Sequence, residues 1–274
     1  MLFNLRLIFL ACTCFIFFAC GLGRAAGPTK DDSGKSTSSS SSNYLDLTVE
    51  ADYSEGKFGS KTKTTVWEAP VTATYNAENW AFDVAMSYIR QHGPSGGFVI
   101  RGRPIGGGGR VTTQDGIGDT NIAATRYFEL GSETLPVLDL KVQEKLATAD
   151  SRRGLGTGKD DTSAEAGLSQ PLGDLTLGLT AGYTWTGKPP GIKLMNYKYG
   201  SGDVSYQLTR DFSAGVTYDY TGAPLKNLPS ARDAQFTLRY KVTSASEIQG
   251  YFLKGLSDGS PDYGGGVYLK HSFR

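Results

Sequence analysis

The sequence predicts an all-β protein, an antiparallel up-and-down transmembrane β-barrel of about twelve strands. Three observations carry this prediction. Segments of about ten residues alternate apolar and polar side chains, which is the pattern of a strand with two different faces. Short turns and longer loops alternate between these segments. No segment after the N-terminal leader approaches the roughly 18 apolar residues of a membrane helix, so a chain that crosses a membrane must do so with strands.

The N-terminus predicts export. Arg6 is followed by an apolar stretch over residues 7–19, which is a signal-peptide core too short to span a membrane comfortably. Gly23 and Ala25 place small residues at the offsets expected before a cleavage site. We interpret residues 1–25 as a cleaved signal peptide; the alternative is an N-terminal membrane anchor.

All three cysteines, Cys12, Cys14 and Cys20, lie in this leader. A mature chain that begins after residue 25 therefore has no disulfide and no thiolate metal site. The alternative is that Cys20 is kept as a lipid-attachment site, with the segment behind it as a tether. That segment, residues 26–43, is rich in Ser and has no apolar periodicity, so it is predicted to be a flexible periplasmic tail.

Residues 44–274 are predicted to form the barrel. In the first segment Leu45, Leu47 and Val49 point one way, while Asp46 and Thr48 point the other. The predicted strands lie at 44–53, 65–75, 80–88, 119–128, 137–147, 161–170, 175–185, 196–208, 212–220, 234–242, 246–255 and 263–273. Because proline cannot donate a ladder hydrogen bond, the second strand is expected to begin after Pro70 or to bulge there.

The connections favour a membrane barrel over a secreted soluble β-sandwich, which is the alternative fold. Short turns are predicted at 76–79, 172–174, 209–211 and 243–245, with a somewhat longer one at 129–134. Longer loops are predicted at 54–62, 91–118, 148–160, 187–194, 222–232 and 256–262. Outer-membrane barrels combine tight periplasmic turns with longer outer loops, and an even strand number places both chain ends in the periplasm.

Charged side chains are confined to the polar faces of the predicted strands. Because a charge that faces lipid at the bilayer midplane costs about 2–4 kcal/mol, this confinement supports a barrel with a charged interior. The predicted pore-lining residues are Asp46, Glu50, Asp52, Glu68, Asp83, Lys141, Lys145, Glu165, Asp219, Arg239, Lys241 and Lys270.

Two interpretations of these charges stay open. Glu165 beside Lys141 or Lys145, and Glu247 beside Arg239 or Lys241, would close the interior with ion pairs. Inward-facing glycines at positions 178, 182 and 215 remove bulk, and we therefore favour a narrow channel.

The longest predicted loop, 91–118, contains the sequence RGRPIGGGGR. Arg101, Arg103 and Arg110 could fold inward and form a possible constriction loop that attracts anions. The interpretation that we favour is a mobile, basic outer loop that touches anionic lipopolysaccharide.

No motif points to an enzyme, and no metal or cofactor is expected. His92 and His271 are the only histidines, and neither position suits a base held beside a nucleophile. Residues 154–159, GLGTGK, lack the first glycine of a phosphate loop, and Asp160 stands where Ser or Thr would bind magnesium. The balance of 28 basic against 27 acidic residues gives no indication of nucleic-acid binding.

Several motifs resemble an outer-membrane family named for the meta-pathway of phenol degradation. They are DGIGD at 115–119 followed by TNIAATRYF, KLATADSRRGLGTGKDD at 145–161 and GLSQPLGDLTLGLTAGYTWTG at 167–187. One departure is Ala147-Thr148-Ala149, where the family pattern has Pro-Thr-Gly. The resemblance implies a barrel and a role as a transporter of small compounds, with aromatic or hydrophobic solutes as candidates. It implies no catalytic residues.

These observations lead to two hypotheses of function. The first is an outer-membrane channel through which small solutes diffuse along a narrow, charge-lined lumen. The alternative is a non-conducting barrel with a structural or interaction role through its loops or its N-terminal tail. The expected partners are outer-membrane lipid and lipopolysaccharide, a small solute and, for the alternative, a periplasmic or surface protein.

Overall fold

A computed structural model describes residues 43–130 and 135–274 of the chain. The predicted signal peptide and the tail up to residue 42 lie outside the described residues. The strands are β1 Tyr44–Gly56, β2 Thr64–Ala77, β3 Trp80–Pro94, β4 Gly97–Ile100, β5 Arg103–Gly106, β6 Val111–Ile117, β7 Thr120–Glu129, β8 Val137–Leu146, β9 Asp161–Leu172, β10 Leu175–Thr186, β11 Tyr197–Gln207, β12 Phe212–Thr221, β13 Ala231–Lys241, β14 Ser246–Gly255 and β15 Tyr263–Phe273. A short 3-10 turn spans Ser151–Arg153. In these ranges no helix is long and apolar enough to cross a membrane.

The long strands close into a 12-stranded antiparallel barrel, which confirms the predicted fold class. Each strand pairs with the next along the chain, and β1 pairs with both β2 and β15. β6 and β7 both pair with β3 and together act as one interrupted strand. The remaining pair, β4 and β5, forms a separate hairpin.

The interruption between β6 and β7 is a β-bulge. Ala85 of β3 pairs with Asn121, but Tyr88 pairs with Ile117, so three steps along β3 match four steps along its partner. The extra residue shifts the inward-facing positions from even numbers in β6 to odd numbers in β7. As a result Asp119, which follows the bulge, turns into the barrel.

The barrel has two different ends. Both ends of the barrel segment, Tyr44 and Phe273, lie at what we call the turn end, together with the short connections. The longer connections, at 57–63, 95–110, 147–160, 187–196, 222–230 and 256–262, lie at the opposite loop end. The up-and-down order is therefore as predicted. That the turn end faces the periplasm stays a prediction.

The outward faces carry an apolar belt. Large exposed hydrophobic side chains occupy the outward positions of every region of the barrel wall, as contact with lipid requires. They include Leu45, Val49, Val71, Phe82, Val84, Met86, Ile122, Leu140, Val142, Leu177, Leu179, Val204, Val216, Phe236, Leu238, Phe252, Val267 and Leu269.

Two local predictions are wrong. β2 runs through Pro70 in an unbroken register, without a bulge; only the pairing of Glu50 and Ala51 of β1 is interrupted opposite it, because proline has no N–H to donate. The predicted loop 91–118 is shorter than expected. β3 extends to Pro94 and pairs with β6, and the middle of the segment forms the β4–β5 hairpin.

Candidate functional site: the barrel lumen

All twelve predicted pore-lining residues lie at inward-facing positions of the barrel wall. Their role in a conducting pore stays a prediction. With the further inward carboxylates that the structure identifies, acidic groups outnumber basic ones. The inward acidic residues are Asp46, Glu50, Asp52, Glu68, Asp83, Asp119, Asp139, Asp161, Glu165, Asp203, Asp219, Asp233 and Glu247. The inward basic residues on the strands are Lys141, Lys145, Arg239, Lys241 and Lys270.

Charges near the turn end are paired but remain partly exposed. Lys141 Nζ lies 3.5 Å from Asp83 Oδ2, and about a fifth of each side chain is exposed, at 20% and 21%. Lys141 also stands directly opposite Glu165 across β8 and β9, one of the two pairings considered for Glu165.

Glu247 stands directly opposite Lys241 on β13, one of the two neighbours considered for it. Its ion pair is with Lys270, at 3.2 Å between Nζ and Oε1, and Arg239 instead donates to Gln249 at 3.1 Å. Lys270 is the direct neighbour of Glu247 on β15, so Glu247 lies between two lysines of adjacent strands.

Inward glycines let large side chains lie flat against the wall. Asp203 lies over Gly178 and the Tyr199 ring over Gly182, each directly across a strand pair, and a Cβ at either glycine would collide with its neighbour. Asp139 covers Gly167 in the same way. The sequence interpretation was that these glycines leave empty space at their own positions. At Gly178 and Gly182 a neighbouring side chain occupies that space instead. They keep neighbouring side chains away from the barrel axis.

Lys145 is the centre of a buried polar cluster at the loop end. Its ammonium group lies 3.0 Å from Asp119 and 3.1 Å from Asp161, and it donates to the backbone carbonyl of Lys159 at 2.8 Å. Asp119 also accepts the backbone N–H of Ala149 at 3.0 Å. This cluster holds the connection 147–160 down over the barrel end, so Lys145 serves to fold the loop inward.

The β4–β5 hairpin folds into the barrel. Arg103 forms a buried ion pair with Asp233 of the β13 wall. The guanidinium carbon of Arg101 lies 3.7 Å from the ring centre of Tyr199. Arg110, in contrast, is exposed. Two of the three arginines of the proposed constriction thus lie in the lumen, and the middle of the segment does not form the outer loop that we favoured.

Apolar side chains on both faces of this hairpin fill the loop end. Val99 packs with Val66 and Ile89 on the β2–β3 wall. On the other face Phe98 packs in a second cluster with Tyr197 of β11, nearly opposite in the barrel. The remaining members of the two clusters are Phe58, Ala149, Leu155, Ile100, Ile105 and Leu194. The hairpin therefore crosses the lumen from wall to wall.

A specific sequence signal for this hairpin was present. In GFVIRGRPIG, Ile100 pairs with Arg103, so Arg101 and Gly102 form a two-residue turn. Both have positive φ, 50° and 69°, as a type I′ hairpin turn requires. Glycine at the second position and apolar residues on both arms indicate a packed hairpin more than a mobile loop.

The hairpin and the connection 147–160 are joined. The N–H of Val99 donates to the carbonyl of Gly154 at 3.1 Å. A cavity of about 220 Å³ lies between them, lined by side chains that include Gln91, Gln114 and Arg153. Within residues 43–130 and 135–274, no three His, Cys, Asp or Glu side chains come together as a metal site.

Comparisons with known proteins define the class of fold. No family model and no curated protein matches the chain. Among solved structures it is similar to an outer-membrane channel from Pseudomonas putida F1, with 12% identity over 84% of this chain and 96% of that chain and a TM-score of 0.67. It is also similar to the transport unit of the autotransporter AIDA-I from Escherichia coli, with 11% identity over 87% and 93% of the two chains and a TM-score of 0.52.

At these identities the similarity is one of fold. The chain has the architecture of outer-membrane β-barrels. The resemblance to the family named for phenol degradation stays an expectation.

Proposed function

We propose that this chain is an outer-membrane channel that passes small solutes by diffusion through a narrow, charge-lined lumen. One observation carries the proposal: the wall is apolar outside and polar at most of its inward positions, and inward side chains such as Asp203 and Asp139 lie over glycines. A structural barrel could fill its interior with apolar side chains. A hydrated path instead needs polar groups along the wall and space at the axis.

The excess of inward carboxylates favours cations. Lys141, Lys145 and Lys270 lie within 4 Å of acidic partners, which leaves the remaining carboxylates to set the potential of the lumen. Arg103 does not reverse this sign, because Asp233 neutralises it. The anion-favouring constriction considered from the sequence is therefore not part of this proposal.

The polar wall favours polar solutes. The expectation of aromatic or hydrophobic solutes rests on the family resemblance alone. Ser, Thr, Gln and charged side chains alternate along the inward faces of β9 to β13. We therefore propose a small hydrophilic cation as the more suitable cargo.

The proposal places the chain in the outer membrane after export and removal of residues 1–25. Lipid and lipopolysaccharide would cover the apolar belt and its loop-end rim. The absence of a catalytic role stays a prediction.

The alternative, a non-conducting barrel with an interaction role, is favoured by a different observation. The hairpin and the two apolar clusters fill the loop end from wall to wall. Conduction therefore requires the hairpin to move or solutes to pass beside it. A hairpin that never moves would close the barrel and leave the loops as a surface for a protein partner.

Recording from planar lipid bilayers tests the proposal. The purified protein is expected to give discrete current steps in KCl, and a salt gradient across the bilayer should give a reversal potential of the sign for potassium selectivity. The control is detergent without protein. Absence of steps beyond this control, with folded protein verified by heat-dependent gel mobility, would support the non-conducting alternative.

A further inference from the structure

We infer that the inward wall of β11 to β13 is a binding site for a guanidinium group, and that the hairpin arginines occupy it as a tethered ligand. The inference rests on the proposed function and adds the chemical class of the solute. It follows from four features of one place in the wall: two adjacent carboxylates, an aromatic face, a small cavity and the arginines themselves.

The two carboxylates are Asp219 and Asp233, which stand directly opposite each other on β12 and β13. Asp233 is only 1% exposed, and its Oδ2 contacts Arg103. Its Oδ1 is buried and has no hydrogen-bond partner among the described residues. Since like charges directly opposite each other destabilise a strand pair, this position suits a bound cation with several donors.

The surroundings match a planar cation. Tyr199 presents its ring to Arg101, and the Gly182 backbone beneath that ring leaves it flat against the wall. A cavity of about 60 Å³ adjoins both carboxylates, and its lining includes Ser201 and Gln235. Guanidinium offers five N–H donors in a plane and stacks on aromatic rings, whereas an ammonium group does neither.

The same contacts anchor the hairpin in the lumen. Arg103 is held by Asp233 and Arg101 by Tyr199, both on the wall at which the solute would bind. A guanidinium-bearing solute that takes these positions displaces the arginines and weakens the attachment of the hairpin to the wall. The ligand would then promote opening of the path through which it diffuses.

Binding of methylguanidinium to the protein in detergent micelles tests the site independently of conductance. Isothermal titration with methylguanidinium chloride compares the full-length protein with the double variant R101Q/R103Q, in which the tethered ligand is gone. We expect the double variant to bind methylguanidinium about tenfold more tightly than the parent, since a buried charged hydrogen bond no longer competes. Adding D233N to the double variant should remove that gain.

Two controls distinguish specific recognition of the guanidinium group from attraction of any cation. Tetramethylammonium carries the same charge without N–H donors and should bind the double variant far more weakly than methylguanidinium does. Arg110→Gln removes an exposed arginine of the same connection and should bind like the parent. Equal binding of the two cations, or binding that is insensitive to D233N, would overturn the inference.

A second measurement uses the unmodified protein, in case the variants do not fold. Hydrogen–deuterium exchange of residues 97–106 should accelerate when methylguanidinium is added and should stay unchanged with tetramethylammonium. Unchanged exchange with both cations would count against the site. Conductance without accelerated exchange would contradict the guanidinium site and support the channel. Accelerated exchange without conductance would support the site and contradict the channel.

Discussion

The two halves of the lumen are built from the same strands but differ in what their charges do. Near the turn end Lys141 and Asp83 remain about one-fifth exposed, at 20% and 21%. At the loop end the side chains of Arg103 and Asp233 are 8% and 1% exposed. The first pair can be reached by water, whereas the second is enclosed by the hairpin and its apolar clusters.

This difference comes from the connections, because the same strands form the wall of both halves. Where the connections are tight turns, the paired inward charges stay partly exposed. Where they are long, the hairpin and the connection 147–160 fold back and bury the same kinds of residues. We therefore propose that the turn-end half is a conduit and that the β4–β5 hairpin is a stopper at its loop end.

The largest expected effect comes from removing the stopper. Deleting residues 98–105 leaves glycines at 96, 97, 106 and 107 to close the loop, since Gly97 and Gly106 are paired neighbours. The conductance in planar bilayers should rise by about threefold or more, because the deletion clears the lumen from the β2–β3 wall to β11.

Arg110→Gln, at an exposed position of the same connection, serves as the matched control and should conduct like the parent. If the deletion and the control conduct alike, the hairpin does not limit the current, and the comparison between the two halves fails.

The next effect concerns the stability of the loop end. Lys145→Gln leaves Asp119 and Asp161 buried together without their shared cation, so the free energy of unfolding should fall by about 3–5 kcal/mol. Arg152→Gln breaks an ion pair with Asp150 in which the arginine is 91% exposed, and it should leave the stability unchanged.

Urea unfolding in micelles, followed by tryptophan fluorescence, measures both variants. Similar unfolding midpoints for the two would mean that the connection 147–160 does not depend on the Lys145 cluster.

The contrast between the halves also explains what the sequence could predict. Alternation along each strand is periodic, so the twelve strands and the inward positions of residues such as Asp46, Glu50 and Lys270 follow from the pattern itself. The burial of Lys145 depends on Asp119, which a bulge turns inward, and on a loop that returns over the barrel end. Contacts between residues far apart in the chain produce no periodic pattern in the sequence, so they could not be predicted from it.

The hairpin was missed for a related reason. Its two strands are four residues each and lie in a glycine-rich segment, so composition favoured a mobile loop. Gly102 between two short apolar arms was the stronger sequence signal. The ion pair that holds the hairpin in the lumen also depends on Asp233, which lies 130 positions from Arg103 along the chain.

The smallest expected effect sharpens the description of the conduit. A Cβ at Gly178 would collide with the carboxylate of Asp203, which would have to turn toward the barrel axis. Gly178→Ala should therefore lower the conductance by about a third without affecting the hairpin. Gly202→Ala is the matched control, because a Cβ at this neighbouring position on β11 meets no atom within 4 Å. Equal conductance of the two variants would mean that the turn-end half does not limit the flow, so that the stopper alone controls it.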